Sequence, residues 1–457
     1  MNETPVSSGV SAADPSRLPR HLGTWNAALL LVTFTIGVGI LQSPGVVAAH
    51  TGSIGLAYAA WITGAIAAVC GALVMTELAV RTPRSGGTTV FLRQAYGPRV
   101  AFMYGWTSML LNPVAAAAIT LVCMTNLGAI LGFGQSVQTL LGLGWVGGIM
   151  LLNMRSSKVV ARIVGGVGVF KISALATVVL LCFAGEPAAA TAAVDASAPA
   201  LNPTLVGFSL AVIATMFAYD GWDGLALVAG EVREPARTLP RATLLGLGLI
   251  LVVYLAVNTG FFHALTFAEV GSTPALAATA VGRVIGENAG RFVTVFVALS
   301  AATTVFGSLL CNPRNLFALA EEGEFFPIVA RVHPRWKTPV VAIGIYGGMT
   351  MLYLASGRGF EQLTRYMILG YLPFYGLVAV AAVLARRRQP LGAGQFRMPL
   401  YPLPVVLLLA FVLIGIGSGF LGDYVAAIAS LIIIGAGALL FEVWRRVRSA
   451  NVRQPPL

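Results

Sequence analysis

Apolar residues dominate this chain in long unbroken runs, separated by short stretches rich in glycine, proline and arginine. A helix needs roughly 18 to 20 apolar residues to cross a hydrocarbon core of about 30 Å, and most of the runs reach that length. The pattern predicts spans over about 25–49, 54–80, 99–131, 140–153, 159–183, 204–230, 243–262, 292–319, 339–355, 363–384, 404–421 and 424–444, with a short interfacial helix over 88–96. The ten-residue alternation of membrane barrels is absent. The expected fold class is an all-α integral membrane protein with about twelve transmembrane helices.

Two of the runs are interrupted. The first carries Gly37-Val38-Gly39 and then Ser43-Pro44-Gly45. The sixth carries the octet Phe217-Ala218-Tyr219-Asp220-Gly221-Trp222-Asp223-Gly224. An unpaired backbone group in a bilayer costs several kcal/mol, so interrupted helices survive at membrane depth only where they line a cavity or touch a ligand. The interruptions lie five helices apart. Since five is odd, the two halves have opposite orientation, the pattern of inverted-repeat transporters with a midplane substrate site. Close packing on glycine is the competing explanation. The predicted organisation is a disordered N-terminus over 1–21, a first five-helix repeat over 22–184, a loop over 185–203, a second inverted repeat over 204–388, two C-terminal helices over 389–446 and a tail over 447–457.

Composition agrees: 57% hydrophobic, 10% charged and mean hydropathy +0.84 lie far from the balance of soluble domains. A formal charge of +12 raises the question of nucleic acid, which requires the basic residues to share a folded surface. They fall instead in short loops on the side of the N-terminus, and only Arg283, Arg291, Arg358 and Arg365 lie near the other side. By the positive-inside rule both termini are cytoplasmic, in a multi-pass protein of the inner membrane whose surroundings are the lipid bilayer. No cleavable signal is evident. Cys70, Cys123, Cys182 and Cys311 sit inside apolar runs, and no disulfide, metal or cofactor is expected. No metal pair or Ser/His arrangement of an enzyme appears at membrane depth.

Freed amides at Val38, Gly39 and Ile40, at the positive end of a half-helix, suit a carboxylate. Freed carbonyls at Phe217, Ala218 and Tyr219 suit an ammonium. Together they describe a zwitterion, an α-amino acid. Lys171, the only charge in the fifth span, carries an insertion cost of order 2.5 to 3.5 kcal/mol and is assigned a functional role over snorkelling. Asp220 and Asp223 carry a similar cost, either as coupling or specificity residues or as caps of the second half-helix. Trp222, Phe217 and Tyr219 line or gate the site or simply pack. Ser300, Thr303 and Thr304 are expected to bond their own preceding carbonyls. Glu77 and Arg314 are read as gate or topology residues, and Arg386, Arg387 and Arg388 as a retention signal.

Taken together, Gly37-Val38-Gly39-Ile40, Ser43-Pro44-Gly45, Ser85-Gly86-Gly87, Phe217-Ala218-Tyr219-Asp220-Gly221-Trp222, Gly230-Glu231-Val232-Arg233-Glu234-Pro235, Leu239-Pro240-Arg241-Ala242 and Thr338-Pro339 resemble the amino acid/polyamine/organocation superfamily. Within it the chain is most similar to the L-type amino-acid transporters and their bacterial relatives. The resemblance covers about 25–346. It implies a LeuT-like fold working by alternating access. It also implies carboxylate binding by the Val38, Gly39 and Ile40 amides, amine binding by the Phe217, Ala218 and Tyr219 carbonyls, and Phe217 as a gate. Lys171 resembles the fifth-span lysine that stands where sodium sits in other members, so sodium coupling is not expected. The sequence departs from the pattern at Val38, which replaces a common serine, at Asp223, which replaces a frequent asparagine, and at Glu321, which replaces a frequent arginine. The loop between spans three and four holds no cysteine, so no disulfide-linked ancillary subunit is expected. The function that follows is a sodium-independent amino-acid transporter, an exchanger or a symporter with protons as co-substrate. The alternatives are an amino-acid sensor on a transporter scaffold and a polyamine or organic-cation transporter.

Overall fold

A computed structural model describes residues 22–82, 87–155, 167–186, 204–321, 323, 325–388 and 396–452. The first span is a bent pair, α1 (Thr24–Thr35) and α2 (Gly39–Thr51), with 55° between them. There follow α3 (Ile54–Arg81), the short α4 (Gly87–Tyr96), α5 (Pro98–Leu131), α6 (Gln135–Arg155) and α7 (Val167–Cys182). The second half opens with another interrupted span, α8 (Leu205–Tyr219) and α9 (Gly224–Leu227), ending in a 3-10 turn at Ala229–Glu231. It continues through α10 (Pro235–Ala264), two short helices α11 (Phe267–Ser272) and α12 (Leu276–Ile285), then α13 (Glu287–Glu321), α14 (Val340–Ala355) and α15 (Phe360–Arg388). α16 (Leu403–Gly422) and α17 (Tyr424–Val452) close the chain. Among the described residues the only β pairing is one bridge, Leu22 to Val232.

Eight of these helices are long and apolar enough to cross a membrane, and the bent α1–α2 pair makes a ninth. The shorter apolar α7, α8 with α9, and α14 complete the order of twelve. Burial separates centre from rim: 72% of the apolar stretch of α3 and of α15 lies inside the protein, against 22% for α6 and α17. The rim helices turn side chains such as Leu140, Leu151 and Leu439 outward, as lipid contact requires.

Two sequence expectations need correction. Ser43-Pro44-Gly45 does not break the first span: α2 runs through it. Pro44 withholds one amide from the Ile40 carbonyl without ending the helix. Gly45 serves a different need, since a Cβ there would lie 3.1 Å from the Val270 carbonyl oxygen of α11. The region between α10 and α13, for which the pattern predicts no element, folds into α11 and α12. A capping box starts α11, in which the Glu269 amide donates to Thr266 Oγ1 and the Thr266 amide donates to the Glu269 carboxylate. The Thr266 amide, helped by Arg283, holds the Glu269 carboxyl below the usual carboxylate range. Gln42 Nε2 of α2 donates to the Pro274 carbonyl at 3.0 Å, so this pair of helices is fastened over α2.

The two membrane faces are tied differently. On the face where α1 begins, Glu77 of α3 is fully buried and accepts from Arg81 Nη2 at 3.0 Å, Arg386 Nε at 2.7 Å and the Met398 amide at 2.9 Å. Arg386 also lies over the Tyr401 ring, 3.7 Å from its centre. Arg386 is thus a structural charge of the core and not part of an exposed signal. Removing one partner of such a pair typically costs about 3–5 kcal/mol. On the opposite face His50 of α2 meets Glu361 at 2.8 Å, Glu361 pairs with Arg365, and Arg365 reaches Asp423 at 3.3 Å. That chain is only half-buried.

Candidate functional site

The two interruptions meet. Gly39, the first residue of α2, lies so close to the last turn of α8 that a Cβ on it would stand 3.1 Å from Ala218 Cα and 3.3 Å from the Phe217 ring. Gly221 has φ +100°, a left-handed conformation that glycine adopts without a Cβ clash. A Cβ there would stand 2.8 Å from the Phe34 carbonyl oxygen, and one on Gly224 would stand 2.4 Å from the Phe34 ring. Each break therefore carries the glycine that admits the other.

In the first break the residues from Ile36 to Val38 leave the helical path, and α2 then restarts. The amides of Gly39 and Ile40 open its first turn, where backbone N–H groups have no partner within the helix and the helix dipole is positive. Val38 is buried beside them and precedes Gly39 in the chain. In the second break α8 ends with Phe217, Ala218 and Tyr219, whose carbonyls belong to the negative end of that half-helix. The chain thus brings the amide end of one half-helix against the carbonyl end of another. A cavity of about 10 Å³, room for about one water, lies beside the first break, lined by Ile36, Gly37, Leu175, Val178, Phe296 and Ser300.

The structure divides the expected site residues by what their side chains do. The Phe217 ring lies between Gly39 and Phe360 of α15, edge to face with the latter at 5.3 Å. Phe360 adjoins Glu361, so the ring is on the side closed by His50, Glu361 and Arg365. Tyr219 and Trp222 do not turn toward the breaks. Tyr219 packs on Trp61, to whose carbonyl its hydroxyl donates at 3.3 Å. Trp222 meets Tyr375 edge to face at 5.1 Å and fills the space left by Gly71, where a Cβ would lie 2.7 Å from the indole. Thr303 and Thr304 donate to the Ser300 carbonyl at 2.8 and 2.9 Å, as hydroxyls in apolar helices do.

Asp220 and Asp223 flank Gly221 and are half-buried; among the described residues neither has an ion-pair partner. Asp223 precedes α9 but its side chain makes no capping bond. Asp220 follows the negative end of α8, where a carboxylate gains nothing from the dipole. Trp222, between them in the chain, packs on Tyr375, and Tyr371, stacked on Tyr375, donates to Asn112 Oδ1 at 2.6 Å. Lys171 lies in α7, and its side chain is outside the described residues; its position is one turn before Leu175 and two before Val178, both of which line the cavity. Cys70, Cys123 and Cys182 are buried free thiols, and Cys311 is an exposed one.

The sequence reading did not single out Tyr254. It is fully buried in α10, and its hydroxyl lies 2.5 Å from the Ala218 carbonyl and 3.1 Å from the Thr35 carbonyl. A tyrosine among valines and leucines carries no periodic signal that would have found it.

The sequence model of the amino acid permease family matches residues 22–439, most of the chain and both breaks. The chain belongs to the amino acid permease family. It is 28% identical over 427 residues to the serine/threonine exchanger SteT of Bacillus subtilis (strain 168), covering 92% of this chain and 95% of that one. It is 27% identical to the b(0,+)-type amino acid transporter 1 of Mus musculus, over 87% of this chain and 82% of the relative. The Asc-type amino acid transporter 1 of Homo sapiens is 27% identical over 95% of this chain and 84% of its own. This permease is a multi-pass membrane protein and a transporter of amino acids, not an enzyme.

Proposed function

We propose that the permease carries its amino acid between the two breaks, with the α-carboxylate on the amides of Val38, Gly39 and Ile40 and the α-ammonium on the carbonyls of Phe217, Ala218 and Tyr219. The observation that carries this reading is the contact of Gly39 with Ala218, which sets a positive helix end against a negative one. Phe217 acts as the gate on the side of Phe360. Alternating access moves the helices that carry the breaks relative to the rest. The half-buried chain from His50 to Asp423 is the contact that opens, while the buried cluster around Glu77 keeps α3 and α15 together.

Transport is independent of sodium. Lys171 supports this, because its register on α7 matches the residues that line the cavity beside Gly37. Lys171→Ala should nearly abolish uptake into proteoliposomes while the protein still inserts. Wild-type rates, or wild-type uptake that needs sodium, would sink the assignment. Exchange is the mode in view, and the name of SteT puts L-serine and L-threonine first in the panel. A second reading rests on Asp220 and Asp223, whose charges are unpaired among the described residues: they select a cationic side chain or carry protons. The basic loops support a reading with both termini in the cytoplasm and the chain in the inner membrane, organised as two repeats over 22–184 and 204–388. No cysteine stands between α5 and α6, so the protein works without a disulfide-linked subunit; uptake by the purified chain alone checks this.

A further inference from the structure

We infer that the connection between α13 and α14 binds the headgroup phosphate of an anionic phospholipid through Arg331, Arg335 and Lys337. The inference is independent of the zwitterion reading above. By the alternation of spans, this connection lies on the face where α1 begins. Most basic side chains of that face are held by protein acceptors: Arg81 and Arg386 by Glu77, Arg388 by the Ala95 carbonyl, Arg99 and Arg445 by Glu442. Arg331, Arg335 and Lys337 are exposed, and among the described residues their side chains have no acceptor. Glu321, at the end of α13, pairs with none of them.

The three cations are held together by a fixed turn. The His333 amide donates to the Thr338 carbonyl and the Lys337 amide to the His333 carbonyl, both at 2.9 Å. The amides of Arg335 and Trp336 donate to His333 Nδ1 at 3.3 and 3.2 Å, and the Trp336 ring stacks on the imidazole at 4.2 Å. The Thr338 hydroxyl donates to the Met154 carbonyl of α6, which brings the exposed Arg155 to the base of the turn. Like charges held this close repel, and an anion among them offsets the repulsion. Guanidinium groups match a phosphate with paired N–H donors.

The neighbouring apolar side chains select a lipid over a soluble anion. Phe326, Ile328 and Val332, on the same connection, are 43, 51 and 46% exposed. Phe326 is also fastened edge to face on Trp444 of α17 at 5.4 Å. Exposed apolar groups interleaved with cations at the ends of membrane helices fit the boundary between headgroups and acyl chains. A soluble phosphate would leave them in water.

The test is native mass spectrometry of the full chain released from nanodiscs with equal amounts of phosphatidylglycerol and phosphatidylcholine. The variant Arg331→Gln/Arg335→Gln/Lys337→Gln should retain one phosphatidylglycerol fewer per chain than the wild type, with phosphatidylcholine unchanged. Arg17→Gln/Arg20→Gln/Arg241→Gln, which removes as many charges elsewhere in the chain, should retain the wild-type number. Arg335→Gln alone should lower the ratio of occupied to empty sites about fivefold, equivalent to about 1 kcal/mol for one basic residue at an anionic surface. Glycerol 3-phosphate, which has the phosphate but no acyl chains, should not displace the lipid. An unchanged count in the first triple variant, an equal loss in the second, or displacement by glycerol 3-phosphate would overturn the inference. If the first triple variant does not insert, Arg335→Gln decides, and unchanged occupancy there would overturn it; failure of both to insert would make the turn a requirement of folding and would overturn it as well.

Discussion

The break in the first span contains no charged side chain and no left-handed residue, whereas the break in the sixth holds two carboxylates around a glycine at φ +100°. Both contain half-helix ends, which in the proposed reading bind the parts common to every α-amino acid. Only the second adds side-chain charge. The difference separates recognition of the backbone of an amino acid, which helix ends accomplish with almost any residues, from discrimination among amino acids, which needs particular ones. It also explains why Val38 in place of a serine is tolerable in a permease while the carboxylate of Asp223 is expected to matter.

The comparison breaks most completely at Gly221. Gly221→Ala combines a left-handed backbone, of order 1–3 kcal/mol of strain, with a methyl 2.8 Å from the Phe34 carbonyl oxygen. Uptake should fall to background and thermal stability should drop in detergent; retained uptake would show that the breaks need not interlock. Gly39→Ala comes next. Its methyl meets Ala218 Cα at 3.1 Å, and because that neighbour is backbone the two breaks must separate. Overpacking of this kind costs about 1–3 kcal/mol, so uptake should fall about tenfold or more. Asp223→Asn sharpens the comparison. The rate for the best wild-type substrate should change less than the order of preference across an amino-acid panel, with expression unaffected, and an unchanged panel would leave Asp223 without a part in selection. The smallest effect belongs to Gly37→Ala, since nothing lies within 4 Å of a Cβ there; uptake should stay within about twofold of wild type. A large loss would mean that the first break depends on its glycines for flexibility and not for contact.

Much of this was legible in the sequence. Glycine and aspartate inside apolar runs exposed both breaks, and the odd number of helices between them exposed the inversion. Those signals are chemical misfits with the bilayer, which a sequence displays directly. Ser43-Pro44-Gly45 was misleading because the same residues serve a continuous helix that needs a close approach to Val270. The partnership of Glu77 with Arg386 was hidden by their separation of 309 positions in the chain. Tyr219 and Trp222 looked like lining residues because aromatic rings near a break suit either role, and only their contacts with Trp61, Gly71 and Tyr375 show packing. Tyr254 was invisible for a related reason: its hydroxyl matters only once α10 brings it to two carbonyls from other helices.

The most direct test of the central claim is uptake of a panel of labelled amino acids into proteoliposomes of the purified permease, with and without internal amino acid and with an imposed pH gradient. The account predicts saturable uptake of at least one α-amino acid without sodium, stimulated by internal amino acid if the protein exchanges and by the gradient if it couples to protons. Uptake of no amino acid under any of these conditions would contradict it.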